Sequence, residues 1–368
     1  MTPQEAAAFL TAHDNYLILT HVRPDGDTIG CGAGLCRALR QIGKTAYVLE
    51  NPEITDLYTG YVEGLTIGAE PVGCTVVSVD IASRSLFTDL AQPYLDRVDL
   101  AIDHHPSQEF FAKATCLDSK RAACGQLVLE IVKQFADITP EIGEALYVAI
   151  STDCGCFQYS NTDASAHRAA AELMESGFDP YPVNRKLFRT KTFKRLKLES
   201  MLTAGIELRD GGTTALVFLT RKMIGEVGAG EGDMDNISAF VGQIEGVKNG
   251  VTLKETGDGH VKISLRTDPG DLNASKVCAL LGGGGGLTTL LGGQSAGQPP
   301  VQKQGGSSTD WTALLGGLGG GSVSSGWQIE NNTGRLNETV APGAREKYTK
   351  LLGGGKDTVT IMVYMCGT

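Results

Sequence analysis

Four short stretches of the 368-residue chain gather carboxylates and imidazoles at the ends of apolar runs. The first, HVRPDGDTIGCG from His21 to Gly32, follows the apolar Leu17-Ile18-Leu19 and sets His21, Asp25 and Asp27 within seven residues. Asp25 and Asp27 flank Gly26, so two short carboxylates can converge while His21 reaches the same space from the strand end. One histidine with several aspartates suits Mn²⁺ or a related divalent ion rather than structural zinc, which usually recruits cysteine. The same residues also allow an Asp-Gly turn in which Asp27 caps the following helix.

The second stretch, VVSVDIAS, sets Asp80 in an otherwise apolar strand. A buried carboxylate is costly unless it is paired, neutralised or bound to metal, and a strand-end cap through Ser83 is the plainer alternative. In the third, LAIDHHPS, Asp103, His104 and His105 end another apolar run, where adjacent imidazoles are a poor choice for packing. The fourth, YVAISTDCGCFQYSNT, carries Asp153 after a hydrophobic helical run. Cys154 and Cys156 beside it lack the separate His or Asn of a thiol mechanism and read as small packed residues. Taken jointly, the four fit one cleft holding two ions about 3.5–4 Å apart, which would share a carboxylate, supply a hydroxide and clamp an in-line displacement at phosphorus.

The elements that must position these residues alternate in type. Strand-like runs cover 16–21, 45–49, 75–81 and 100–103, and helical periods cover 28–42, 125–135, 141–150 and 164–176. A parallel, helix-covered sheet is the economical reading, with ligands at the carboxyl ends of its strands. A basic connector, NRKLFRTKTFKRLKLESML, follows, with Arg185, Lys186, Arg189, Lys191, Lys194, Arg195 and Lys197 available to steer a polyanion or to form a solvated face. Strands TALVFLT, GVTLKE and HVKISLRT with a helix near 234–244 then make a smaller α+β domain. From 282 to 355 the chain holds 21 of its 48 glycines, with LLGG recurring at 280, 290, 314 and 351, a composition expected of flexible linker.

The expected organisation is therefore a domain over 1–183 bearing the site, a basic helical connector over 184–204, and an incomplete second domain over 205–285. A Gly/Ser-rich linker over 286–355 and a strand-like fragment over 356–368 complete it. A net charge of −10 argues against a non-specific nucleic-acid binder, although bound metals reverse the local field in a cleft. Nine cysteines without C-x₂-C pairs, and a start MTPQEAAAFL without an apolar leader, lead to an expectation of reduced thiols in the cytoplasm. No apolar run reaches the ~20 residues that span a bilayer.

HVRPDGDTIGCG, the lone Asp of SVDIAS, DHHPS and STDCGCF resemble, in order, the four motifs of the DHH phosphoesterases, and the resemblance covers about residues 5 to 285. It implies an α/β fold: a parallel-sheet DHH domain with helices on both faces, and a smaller α+β DHHA1-like substrate domain. It also implies two Mn²⁺ ions, with Mg²⁺ or Co²⁺ as substitutes. One would be held by His21, Asp25 and Asp80, the other by Asp27, Asp80, His104 and Asp153. His105 would then face the scissile phosphate or leaving oxygen, with Asp103 orienting the imidazoles. VKISLRT and ALLGGGG resemble the DHHA1 strand and glycine loop, implying that Arg266, Gly282, Gly283, Gly284 and Gly285 contact substrate. After that loop the family pattern continues with His and a small-residue run, whereas this chain reads Gly286-Leu287-Thr288-Thr289. The final DTVTIMVYMCGT is similar to the opening strand of a clostripain-like protease, without its catalytic His or Cys.

The implied activity is hydrolysis of short single-stranded oligoribonucleotides to mononucleotides and of pAp to AMP. The alternatives are a cyclic or linear dinucleotide phosphodiesterase, or a metal- or nucleotide-binding module left inactive by its incomplete lobe. Short single-stranded RNA or DNA and pAp are the expected partners, with no membrane and with a homodimer as the candidate assembly.

Overall fold

Tyr16, Leu17, Ile18 and Leu19, all fully buried, form the first strand, β1 (Tyr16–Leu19). Their alternation divides the core in two: Tyr16 and Ile18 belong to one apolar cluster, Leu17 and Leu19 to another. A strand apolar on both faces is the pattern of a covered parallel sheet. The chain is described by a computed structural model over residues 1–234, 237–256 and 260–267, with strand segments Gln328–Glu330, Arg335–Asn337 and Thr360–Val363. It divides into two units that meet in sequence at Lys191 and Thr192.

In the first unit β1 is joined by β2 (Ala46–Leu49), β3 (Thr66–Ile67), β4 (Thr75–Val79), β5 (Leu100–Asp103) and β6 (Ala114–Leu117). The sheet order is β3-β2-β1-β4-β5-β6 and every pairing is parallel. The winding reverses between β1 and β4, so a crevice opens beyond the carboxyl ends of those two strands. Five α-helices line one face: α1 (Pro3–Ala12), α2 (Gly26–Gln41), α3 (Cys124–Val132), α4 (Pro140–Asp153) and α5 (Ala164–Met174). The 3₁₀ turns Arg84–Leu86 and Gln92–Arg97, with Phe87, Tyr94 and Phe111, cover the other. A short helix α6 (Pro180–Asn184) follows.

The contact between α2 and α4 depends on small residues. A Cβ at Gly26 would lie 2.3 Å from the Thr152 hydroxyl, and one at Gly30 2.3 Å from the Ala145 carbonyl oxygen. Gly34 meets Leu146, and Gly125 of α3 meets Ala149, at similarly short range. These absent side chains let α4 run close enough to α2 for its last turn to arrive beside the first turn of α2.

The second unit contains α7 (Phe193–Ala204), β7 (Glu207–Arg209), β8 (Thr214–Leu219), α8 (Arg221–Val227), β9 (Asn249–Glu255) and β10 (His260–Thr267). Strands β7 and β8 pair antiparallel, β8 and β9 parallel, β9 and β10 antiparallel. Leu198 and Leu202 of α7 pack with Ala215, Val217 and Leu219 of β8. Thr360–Val363 pairs parallel to β10, and Gln328–Glu330 antiparallel to Arg335–Asn337. The helix expected near 234–244 is instead two 3₁₀ segments, Glu231–Met234 and Ile237–Gln243. Gly232 and Gly242 fall within them, and glycine is a poor helix former. The expected linker over 286–355 lies otherwise outside the described residues.

Candidate active site

Asp25 ends the loop after β1 and caps α2, its Oδ1 accepting the backbone N–H groups of Asp27 (3.0 Å) and Thr28 (3.2 Å). The cap therefore belongs to Asp25. Asp27 is buried instead against the start of α3, where Cys124 N–H donates to its Oδ2 at 2.6 Å and Gly125 N–H to its Oδ1 at 2.9 Å. Thr28 ties this turn to the sheet by donating its hydroxyl to the Val79 carbonyl at 3.0 Å.

Asp80 follows β4 directly and is buried, with φ at +60°. The left-handed region is uncommon for a residue with a side chain, and such strain persists only where surroundings impose it. Here the Asp80 N–H is held by the Ile102 carbonyl at 2.9 Å. No helix cap is made by Asp80; the turn that follows begins at Ser83 without a side-chain cap.

The Asp80 carboxylate faces two ways. Its Oδ2 lies 3.7 Å from His21 Nε2, which is also 3.6 Å from Asp25 Oδ1. Its Oδ1 lies 3.5 Å from His104 Nε2, which in turn is 3.6 Å from Asp153 Oδ2 and 3.8 Å from Asp27 Oδ2. These separations exceed good hydrogen bonds. Donor atoms of His21, Asp25 and Asp80 lie within 4.8 Å of one another, as do those of Asp27, His104 and Asp153, and of Asp80, His104 and His105. Asp80 Oδ1 is buried and accepts no hydrogen bond. A divalent cation fits an orphaned carboxylate oxygen among hard oxygen and imidazole donors.

Both candidate imidazole ligands are oriented from behind. His21 Nδ1 meets the Val22 carbonyl at 2.8 Å and His104 Nδ1 the Arg121 carbonyl at 3.1 Å. A carbonyl only accepts, so Nδ1 carries a proton in each ring and Nε2 is the nitrogen turned to the cluster. Asp103 is fully buried; its Oδ1 accepts from the backbone N–H groups of His104 (2.8 Å) and His105 (3.1 Å) and from His105 Nδ1 (2.8 Å).

The electrostatics are those of crowded negative charge. Burial, then the charges of Asp80, Asp153 and Asp25, hold the Asp27 carboxyl well above the usual carboxylate range. Burial also raises Asp153 to about 7, with the charges of Asp80 and Asp25 acting the same way and His104 against. Burial opposes charge on His105, but the Asp103 hydrogen bond and the charges of Asp80, Asp103 and Asp153 prevail and raise it to about 9. Burial likewise opposes ionisation of Asp25, yet the attraction of the charged His21 ring beside it brings it down to about 2.

The first unit thus brings together His21, Asp25, Asp27, Asp80, Asp103, His104, His105 and Asp153. Asp153 belongs to the last turn of α4, three residues beyond the expected helix end. Arg266 lies on β10 opposite Gly250, in the second unit. Gly282, Gly283, Gly284 and Gly285 lie outside the described residues.

Three supporting groups escaped the sequence reading. Gln108 Nε2 donates to Asp103 Oδ2 (2.6 Å) and to the Ile81 carbonyl (2.8 Å), fixing the carboxylate that holds His105. Asn51 Nδ2 holds the His21 carbonyl at 2.9 Å. The third is the pair of N–H groups at the start of α3. Gln108 closes the run DHHPSQ and could have been found there as a polar residue beside a buried carboxylate, whereas backbone donors leave no mark in a sequence.

Residues 15–150 match the model of the DHH family, N-terminal domain. The bifunctional oligoribonuclease and PAP phosphatase NrnA of Thermus thermophilus is 31% identical over 274 residues, covering 72% of this chain and 79% of that protein. The protein of the same name from Bacillus subtilis is 23% identical over 267 residues, with 70% of this chain and 83% of the relative covered. Among solved structures, an exopolyphosphatase-related protein from Bacteroides fragilis superposes with a TM-score of 0.66 at 23% identity, covering 77% of this chain and 88% of its own.

Proposed function

The chain belongs to the DHH family of phosphoesterases, and on that premise we propose that it hydrolyses short single-stranded oligoribonucleotides to mononucleotides and pAp to AMP. The observation that carries this reading is the Asp80 carboxylate, which turns one oxygen to His21 and the other to His104. Two Mn²⁺ ions suit the mixed aspartate and histidine donors. His21, Asp25 and Asp80 would hold one, and Asp27, Asp80, His104 and Asp153 the other, with Mg²⁺ or Co²⁺ as substitutes. When bound, such ions supply positive charge to the phosphoryl oxygens and make the attacking water more acidic.

The chain's own groups do the rest. Asp103 takes the Nδ1 proton of His105 in a hydrogen bond and leaves Nε2 as the nitrogen that meets substrate. The Asp103 hydrogen bond favours the protonated ring, which can give its Nε2 proton to the departing oxygen. Residues 1–183 form the domain that performs this step, and 205–285 a DHHA1-like lobe in which Arg266 and Gly282–Gly285 grip substrate phosphate. The reading is supported by the NrnA relatives, whose names describe both activities.

The test is product analysis with Mn²⁺. AMP should be released from pAp and mononucleotides from a 5′-phosphorylated dinucleotide, and both should cease in EDTA. Preferential opening of a cyclic dinucleotide would replace this reading with the dinucleotide phosphodiesterase.

A further inference from the structure

Residues 185–197 carry seven Lys and Arg and no carboxylate, in a chain whose net charge is −10. Part of this run is the first turn of α7, within the second unit. One side of α7 is committed to the core: Leu198 and Leu202 are fully buried, and Arg195 Nε meets Glu199 Oε1 at 2.8 Å beside them. The other side is open. Phe193 is 72% exposed and Leu196 49%. Lys197 reaches over the Phe193 ring, its Nζ 4.8 Å from the centroid, and Lys194 is exposed one residue along.

A large aromatic ring held out to solvent between lysines matches a ligand that has both flat apolar faces and regularly spaced negative charge. Single-stranded nucleic acid has both: bases stack on aromatic rings, and phosphates take the cations. A protein partner would have to bring its own acidic residues to this carboxylate-free run, whereas a nucleic-acid strand brings one charge with every nucleotide. We infer that the outward face of α7, centred on Phe193, Lys194 and Lys197, is a stacking platform for single-stranded oligonucleotide. It rests on the reading of the chain as an oligoribonuclease and adds affinity for the strand without taking part in bond cleavage.

The experiment uses the full chain and a fluorescein-labelled 2′-O-methyl oligoadenylate of about 12 nucleotides, within the span that such single-strand sites cover. Anisotropy is read in EDTA over a range of salt, and pAp hydrolysis with Mn²⁺ is measured in parallel. Phe193→Ala should weaken binding roughly fivefold or more, the loss of one stacked base, and Phe193→Trp should restore it. Replacing Lys194 and Lys197 together by Glu should flatten the dependence of log affinity on log salt by about 1.4, the value for two phosphate contacts on a single strand. Turnover of pAp should be unchanged in all variants. Equal binding by wild type and variants, with pAp still hydrolysed, overturns the platform and leaves the proposed activity standing. Binding differences in a protein that hydrolyses neither pAp nor oligonucleotide keep the platform and remove the activity. Variants that change the mass in solution from dimer to monomer would assign this face to a second copy of the chain, and also overturn the inference.

Discussion

Gly30→Ala should unfold the first unit more readily and weaken catalysis, whereas Gly32→Ala, two residues along the same helix, should do neither. An added Cβ at Gly30 would lie 2.3 Å from the Ala145 carbonyl oxygen, 2.8 Å from the Ala149 nitrogen and 2.9 Å from the Ala149 Cβ. Comfortable contacts begin near about 3.5 Å, so the α4 backbone must retreat by roughly 1 Å. Overpacking of this kind costs about 1–3 kcal/mol, and rigid backbone as the obstacle argues for the upper end. The better helix propensity of alanine returns about 1 kcal/mol. A net loss of about 2 kcal/mol lowers Tm by roughly 4–8 °C in a unit of this size.

At Gly32 the nearest atoms are the Thr20 Cγ2 at 3.4 Å and the Val48 methyls at 3.7 and 3.8 Å. There the propensity gain stands unopposed, and Tm should rise by about 2–4 °C. The shift at Gly30 also moves Asp153, which sits at the end of α4. Misplacement by about 1 Å can cost on the order of 10²-fold in rate, so pAp hydrolysis at low temperature, where both variants are folded, should fall far more for Gly30→Ala. Calorimetry in EDTA and initial rates with Mn²⁺ are the assays. A Gly30→Ala protein as stable and as active as Gly32→Ala would refute the claim that close helix approach positions Asp153.

Asp80→Ala should abolish hydrolysis and reduce the bound Mn²⁺ measured by metal analysis; a tenth of the wild-type rate at saturating ion would be incompatible with a shared carboxylate. His105→Ala should retain the wild-type metal content and lose turnover, and loss of an ion would make His105 a ligand. Without divalent cation, stability should fall as pH rises. Asp153, raised to about 7, and Asp27 destabilise the fold as they ionise, and the stabilisation from His105 is complete below its unfolded value and lost as pH rises through about 9. Melting midpoints in EDTA should therefore drop between about pH 5 and about pH 9, and the gain from added Mn²⁺ should grow over that range; a rising EDTA curve would contradict the assignment. Gln108→Leu should lower kcat with little change in KM by releasing Asp103 behind His105, while an unaltered kcat would show that the Asp103 contact suffices.

The strands that carry the site were legible because buried parallel strands must be apolar: β5 occurs over the expected 100–103, and β1, β2 and β4 differ from expectation only at their ends. Helices α2 to α5 followed from their periodicity. The helix α1 was passed over although Thr2 and Glu5 form a capping box around Pro3, a signal available in the first five residues. β3 and β6 are short or half-buried, and such strands are defined by their neighbours more than by their own residues. Individual candidate residues stood out because each motif follows an apolar run. That they would share one cleft was expected from their places at strand and helix ends; how the cleft is built was not, since it depends on where the winding reverses and on glycines whose missing side chains are informative only once α4 lies beside α2.

The reversal between β1 and β4 has a consequence for how activity arises during folding. One half of the sheet, β1 to β3, leads to His21, Asp25 and Asp27, and the other, β4 to β6, to Asp80 and His104. A fragment or intermediate with only one half ordered lacks members of both clusters on either side of Asp80. Phosphoester cleavage therefore reports on the docked state of the whole sheet.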